Sequence, residues 1–344
     1  MSVSIFATAR TPIGAFGGSL RSLTAVGLAS RAMGETLRRA DLAPALVQEI
    51  ILGCALPAGC GPNPARQAAL EAGLVGSAFT VNMGQGSGLK AILLAAQKLA
   101  QGDEAYLLAG GADSASQAPY LVPKARWGTR IGSTEILDSL WVDGFWDPTM
   151  ASHSATEAQL HWAAASRQKS MCLEPRERFP VSWNDKRGPA TLTMDEDPRS
   201  SRIPFPAHIA PPADGAAMLL LGNTAGPRPL GRLLGAVETT HGWASAIRDL
   251  LARTGLSFET VDRWELEERS ATQVLDLFAE CPELDPAKVN VRGGSLALGD
   301  PIGASGARLL ISLLHSLEDE DLDTGIVATP AGQGLALAMA ITRS

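Results

Sequence analysis

Apolar residues along the chain fall into two alternating rhythms. Short runs rich in small and β-branched residues predict strands: SIFATA from Ser4, EIILGCAL from Glu49, AFTVNM from Ala78 and AYLLAGG from Ala105. Between them, LTAVGLASRAMGETLRRA from Leu23 and GQGSGLKAILLAAQKL from Gly84 space their apolar positions as one face of a helix does. The alternation returns near the C-terminus, with RLLGAVETT from Arg232, a helix around SAIRDLLARTG, RWELEE from Arg263, a helix through QVLDLFAE, VNVRGG from Val289, another helix, and GIVATP from Gly325. Strands and helices that take turns over short links specify a layered α/β architecture.

Two segments look like copies of one device, GQGSGLKAILLAAQKL from Gly84 and IGASGARLLISLLHSL from Ile302. Each sets a Gly/Ser-rich turn before a helix that is apolar on most faces, which predicts a helix buried between layers with its N-terminus at a site. The chain therefore reads as an internal duplication. A first half spans 1–117 and is completed by a strand near 213–223, an inserted loop region spans 118–212, and a second half spans 224–344. The insert carries Pro, Trp, Arg and Asp without steady periodicity, as a loop region rather than a third core does.

Composition narrows the classes of function. With 344 residues, 45% of them hydrophobic, the chain can bury a large core in two structural units. A net charge of −7 offers no basic face for nucleic acid or anionic lipid, so small molecules or proteins are the expected partners. The apolar stretch in MSVSIFATARTPIGAF is too short and interrupted for a signal peptide or membrane span, which predicts a cytoplasmic protein. Cys54, Cys60, Cys172 and Cys281 are too scattered for a disulfide framework, and no histidine pair joins them at zinc-ligand spacing, so no metal is expected.

Candidate chemistry concentrates in VNMGQGSGLK. Its glycines permit tight backbone angles, and the helix that follows aims unpaired N–H groups and partial positive charge at whatever sits beside Gln85. Such a place suits an activated nucleophile with a backbone oxyanion donor, whereas Gln85 carries no titrating group. Gly86 and Ser87 on this turn, and Ser305 on its copy, are the candidate substrate contacts.

The stretches ARTPIGAFGGSL, GPNPARQAAL, NMGQGSGLKA, LLAGGADSASQAP, ADGAAMLLL, VNVRGGSLALGDPIGASGAR and ATPAGQGLALAMAITR together resemble the thiolase family, in order and from end to end. The resemblance implies a duplicated five-layer αβαβα fold with an inserted loop domain, here shortened, assembly as dimers or tetramers, and chemistry on acyl-CoA thioesters. It also aligns the family's catalytic positions with other residues here. Gln85 falls at the acyl-accepting cysteine, Asp300 at the histidine of Gly-His-Pro-Ile-Gly, Glu267 at the asparagine of Asn-Glu-Ala-Phe, and Pro330 at the second cysteine. The segment resembling the Asn-Ala-Ser-Gly contact to CoA reads His208-Ile209-Ala210-Pro211.

These positions imply a protein of an acyl-thioester pathway that acts as a non-condensing binding or partner subunit. The alternative is an acyltransferase, decarboxylase or hydrolase on an acyl-CoA or acyl-carrier thioester, using the backbone N–H groups of Gln85 and Gly332 as an oxyanion hole. No cofactor is required beyond such a thioester, and the expected assembly is a homodimer or a heteromer with an active thiolase or ketosynthase. Glu267 and Asp300 read either as a carboxylate pair with one raised pKa or as partners of Arg269 and Arg292. His153, His161 and His241 fall in or near the insert, His315 precedes the solvated acidic run LEDEDLD, and Trp127, Trp141 and Trp146 read as packing side chains.

Overall fold

The structure is a computed structural model that describes residues 3–102, 105–128, 131–145, 155–171, 175–186, 188–201, 203–223, 228–332 and 334–343; Trp146, His153 and Cys172 lie outside them. The first half runs β1 (Ser4–Arg10), β2 (Gly14–Ala15), α1 (Ala25–Ala40), β3 (Glu49–Gly53), α2 (Pro64–Glu71), β4 (Ser77–Val81), α3 (Ser87–Gln101) and β5 (Tyr106–Ser114). The insert carries two hairpins, β6 (Tyr120–Leu121) with β7 (Leu137–Asp138) and β8 (Val181–Asp185) with β9 (Gly188–Leu192), and between them helix α4 (Glu157–Ser170). There follow β10 (Ala213–Gly222), β11 (Gly231–Thr239), α5 (Trp243–Thr254), β12 (Arg263–Leu266), α6 (Ala271–Glu280), the one-turn α7 (Ser295–Leu298), α8 (Ser305–Asp319), β13 (Thr324–Gly332) and β14 (Leu335–Thr342).

The main strands form one continuous order, β12-β13-β14-β11-β1-β10-β5-β3-β4. It is mixed: β3 runs parallel to β4 and β5, and β12 parallel to β13, while the other pairs are antiparallel. Within the sheet, the two halves join where Ser4 and Ile5 of β1 face Arg232 and Gly231 of β11. With the short β2 paired to the start of β10, the first half thus holds six strands and the second four, with Val289 bridging singly to Trp264 beside β12. VNVRGG forms no strand, because Asn290 and Gly293 take positive φ (45° and 77°) and turn the chain away.

The strands sort their side chains with period two into two faces. Ile51, Leu107, Leu219, Val327, Leu337 and Met339 point inward onto α3 and α8, which are apolar nearly all round and lie between the two halves of the sheet. Ile50, Leu52, Leu108 and Met218 point the other way onto α1 and α2, and Trp264, Ile326 and Ala338 onto α5 and α6. Helix, sheet, helix pair, sheet and helix stack as five layers, the thiolase fold. The central pair touches backbone to backbone: a Cβ on Gly88 would lie 2.7 Å from the Gly303 carbonyl oxygen, and one on Gly306 would lie 2.8 Å from Leu89 Cβ.

The described residues of the insert hold more regular structure than its sequence suggested. Thr156 and Gln159 form a capping box at the start of α4, a signal visible in TEAQ. Asn63 caps α2 with Pro64 at its first position, an N-terminus readable in NPAR. Trp127 and Trp141 are solvent-exposed (85% and 60%) rather than packed. The insert is tied down by charge instead: Arg10 on β1, fully buried, holds Asp195 through two bonds (2.7 and 3.0 Å) and Glu177 through a third (2.9 Å). Among the described residues no helix is long and apolar enough to cross a membrane, and no group of three or more His, Cys, Asp or Glu side chains is placed to hold a metal ion.

Candidate active site

The site is built where two turns meet, one from each half. The turn before α3 is closed by Ser87, whose Oγ donates to the Gly84 carbonyl (2.6 Å) and accepts the Met83 N–H (2.8 Å). Gly84 takes a φ of +54°, and Gly86 leaves room for the chain opposite, since a Cβ there would lie 2.9 Å from Ala331 Cβ. The turn before α8 is clamped from outside: the Asp300 N–H donates to the Pro211 carbonyl (2.8 Å) and the Asp300 carbonyl accepts the Ala213 N–H (3.0 Å). Ile302, buried in this turn, has a φ of +28°, a strained conformation of the kind concentrated at functional sites.

These turns bring Gln85, Asp300 and Ser305 together. Asp300 accepts the Ser305 hydroxyl at 2.7 Å and lies 3.5 Å from the Gln85 amide nitrogen, a long contact at the limit of hydrogen bonding. Both side chains are buried, at 4% exposure for Gln85 and none for Asp300. Glu267 reaches the same place from the end of β12, with its N–H held by the Ala328 carbonyl at 3.1 Å. It is fully buried, and neither of its carboxylate oxygens makes a hydrogen bond of good geometry, although the Ser295 hydroxyl lies beside it. Burial first, and then the like charge of Asp300, push its carboxyl up to about 8, against the opposing pull of Arg308.

Pro330 to Gly332 lie over the Gly84–Gly86 turn, with the Ala331 carbonyl oxygen 3.7 Å from where a Gly84 Cβ would be. Gly332 has a φ of +81° and pairs with Leu335 at the tip of the β13–β14 hairpin. Met83, Gly84 and residues 330–332 are half-buried, so this is the side from which the buried pair can be approached. Ser87 is spent on its own turn, and Ser305 orients Asp300.

Several expectations change. Arg269 donates to the Gly144 carbonyl (2.9 Å) and covers the Phe145 ring, and Arg292 donates to Asp319 (2.5 Å) and to the His315 carbonyl (3.3 Å). The cation that faces Glu267 is Arg308, buried on α8 and donating to Ser295 at 3.2 Å. Nothing in the sequence marks it beyond a charge on an otherwise apolar helix. Glu268, beside Glu267 and equally buried, reaches toward α4 and accepts from Ser166 (2.6 Å) and Trp162 (3.1 Å). His315 is buried near Thr8 rather than solvated, while His161 and His241 are exposed.

The sequence matches the thiolase N-terminal domain over residues 3–203 and the thiolase C-terminal domain over residues 236–343. It is 36% identical to an acetyl-CoA acetyltransferase of Pseudomonas aeruginosa, covering 98% of this chain and 99% of that one. It is 35% identical to the cytosolic acetyl-CoA acetyltransferase of Mus musculus, covering 99% and 98%. The fold superposes on an acetyl-CoA acetyltransferase from Syntrophomonas wolfei with a TM-score of 0.92 at 28% identity, over 100% of this chain and 99% of that one. The acetyl-CoA acetyltransferase of Bacillus anthracis gives the same TM-score at 30% identity, over 99% and 98%. Likeness along whole chains to proteins named as acyltransferases overturns the expectation of a non-condensing partner subunit. With both of its halves matched and its full length shared, the chain belongs to the thiolase family.

Proposed function

We propose that the protein transfers acyl groups between CoA thioesters, the activity for which its relatives are named. The observation that carries this reading is the end-to-end likeness to acetyl-CoA acetyltransferases, at 35% and 36% identity, with no half missing. The site geometry supports it. Two helix N-termini converge on one buried place and supply partial positive charge and backbone N–H groups for a thioester carbonyl oxygen. The Gln85 amide is a neutral donor on the same side, and Ser305 fixes Asp300 opposite it. Residues 330–332 form the other lip of the approach and give Gly332 as a second backbone donor. CoA enters as substrate, and no further cofactor is called for.

The working form in this reading is a cytoplasmic homodimer. β4 is a free edge of the sheet, with Phe79 on it and Leu70 and Val75 nearby all exposed, which suits cover by a second copy. Sedimentation at micromolar concentration tests this.

Purified protein incubated with acetoacetyl-CoA and CoA, with acetyl-CoA followed by chromatography, is the direct test. The expected result is steady acetyl-CoA formation that falls on the order of 10²-fold in Gln85→Ala, the usual cost of one lost oxyanion donor. Absence of acetyl-CoA at high protein concentration, in both directions of the reaction, would overturn the reading.

A further inference from the structure

In Glu267, Asp300, Glu268 and Asp113 the structure buries four carboxylates in and around the site, and they differ in what their oxygens are doing. Asp113 accepts from the N–H groups of Ala55, Leu56 and Gly303 and from the Cys54 thiol. Asp300 is engaged by Ser305 and Gln85, and Glu268 by Ser166 and Trp162. Glu267 alone of the four has neither oxygen in a hydrogen bond of good geometry, with the Ser295 hydroxyl beside it already accepting from the Arg308 guanidinium, although it is fully buried and its backbone is pinned to Ala328. An unpartnered buried carboxylate is costly, and a fold that holds one in place holds it against something. A general base needs these features: an open lone pair, a fixed position, and a neighbour that raises its affinity for a proton toward the working pH.

We propose that Glu267 is the proton carrier of the site, taking a proton from the carbon next to one thioester carbonyl and handing it to the departing thiolate of the other. The proposal rests on the acyl-transfer reading above. In the forward direction the Cα–H bond of the first thioester breaks and an O–H bond forms on Glu267. The carbon left with the electron pair bonds to the carbonyl carbon of the second thioester. The C–S bond of that thioester then breaks, and its sulfur takes the proton back from Glu267, so the carboxylate is regenerated and no oxidant or reductant is consumed. Asp300 is a positioning residue in this scheme: its negative charge raises the proton affinity of the Glu267 carboxylate, so that the ionised form can take the Cα proton and keep it until the thiolate departs. The groups facing Glu267 are Asp300 from the turn before α8, Arg308 from α8 itself and Glu268 beside it; burial and Asp300 outweigh Arg308 and leave its carboxyl near 8.

The test separates this step from the transfer as a whole. Acetyl-CoA is incubated with enzyme in D2O, and deuterium entering its methyl group is followed by mass spectrometry, beside the acetoacetyl-CoA assay. Wild type should exchange. Glu267→Gln, matched in shape, should lose the exchange by roughly 10²–10⁴-fold. Glu267→Asp should restore part of it. Asp300→Asn should move the pH midpoint of exchange below that of wild type, which a purely structural role for either carboxylate would not do. Exchange at the wild-type rate in folded Glu267→Gln, or a midpoint that stays put in Asp300→Asn, would overturn the proposal even if acetyl-CoA were still formed from acetoacetyl-CoA. Conversely, Glu267-dependent exchange with no acyl transfer would support proton abstraction by Glu267 but overturn the acyl-transfer reading, and with it the return of the proton to a thiolate.

Discussion

The Asp113 carboxylate, at the end of β5, accepts the N–H of Gly303 at 2.7 Å, so a strand of the first half holds the turn that carries Asp300 in the second. The same carboxylate accepts the N–H groups of Ala55 and Leu56 at 2.9 Å each. Asp113→Ala would leave these donors buried without partners, at about 1–3 kcal/mol for each. The expected outcome is a loss of at least ~3 kcal/mol, read as a lower urea midpoint with unchanged m-value. Asp113→Asn keeps one acceptor oxygen and should lose less.

Glu265 and Glu267 are both pushed up to about 8 by burial. Unfolded, each would titrate near 4.5. Between those values the folded chain holds protons that the unfolded chain has released, so stability declines with rising pH. The stability tied to these protons is complete below about 4.5 and gone once pH has risen through about 8. The melting temperature should therefore fall between pH 6.5 and pH 9 by a few degrees, and Glu265→Gln should flatten that fall. A melting temperature that rises across this window in the wild-type protein would contradict the assignment.

Arg10 holds Glu177 at 2.9 Å, with Arg292 a longer partner at 3.9 Å, and it shares Asp195 with Arg178. Removing it strands buried charge, at roughly 3–5 kcal/mol. Arg10→Met should lower the melting temperature strongly and speed proteolysis within 175–196, because that segment loses its anchor to β1. Arg10→Lys should recover only part, since a point charge cannot reproduce a forked contact.

Two glycine substitutions should part company. A Cβ on Gly111 would sit 1.9 Å from the Gly303 carbonyl oxygen, so Gly111→Ala must displace the turn that bears Asp300. Gly34, on the exposed side of α1, has nothing within 4 Å of its Cβ position. Gly34→Ala should gain about 0.5–1 kcal/mol from helix propensity, whereas Gly111→Ala should fold poorly and lose acyl transfer. Thermal melts of the two variants beside wild type decide the matter.

What could be read from the sequence was whatever is local. Strand alternation at Ile50–Leu52, and the Gly/Ser turns ahead of two apolar helices, announced layers, duplication and the placing of Gln85 and Ser305. The convergence of Glu267 and Asp300 came from resemblance, since 33 positions separate them along the chain. Arg269 and Arg292 were the nearest cations in sequence, yet strand and turn geometry send both elsewhere, and Arg308 comes in from a helix on the far side. Asp113 and Asp195 gave no local signal at all: each is an ordinary acidic residue until the fold brings backbone N–H groups or Arg10 to it. The helices α2 and α4 were missed for a different reason, because their caps were legible in NPAR and TEAQ but their apolar faces are short.

β10 lies at the centre of the first half, paired with β1 over 217–222 on one side and with β5 over 214–222 on the other, yet it is made only after the whole insert. During synthesis, β1 and β5 must therefore wait with their facing edges open while about a hundred residues of hairpins and helix emerge. Vectorial folding of the first half as a finished unit is barred by this order. The sheet closes late, from its middle, and a ribosome stalled inside the insert would leave two unpaired strand edges in want of a chaperone.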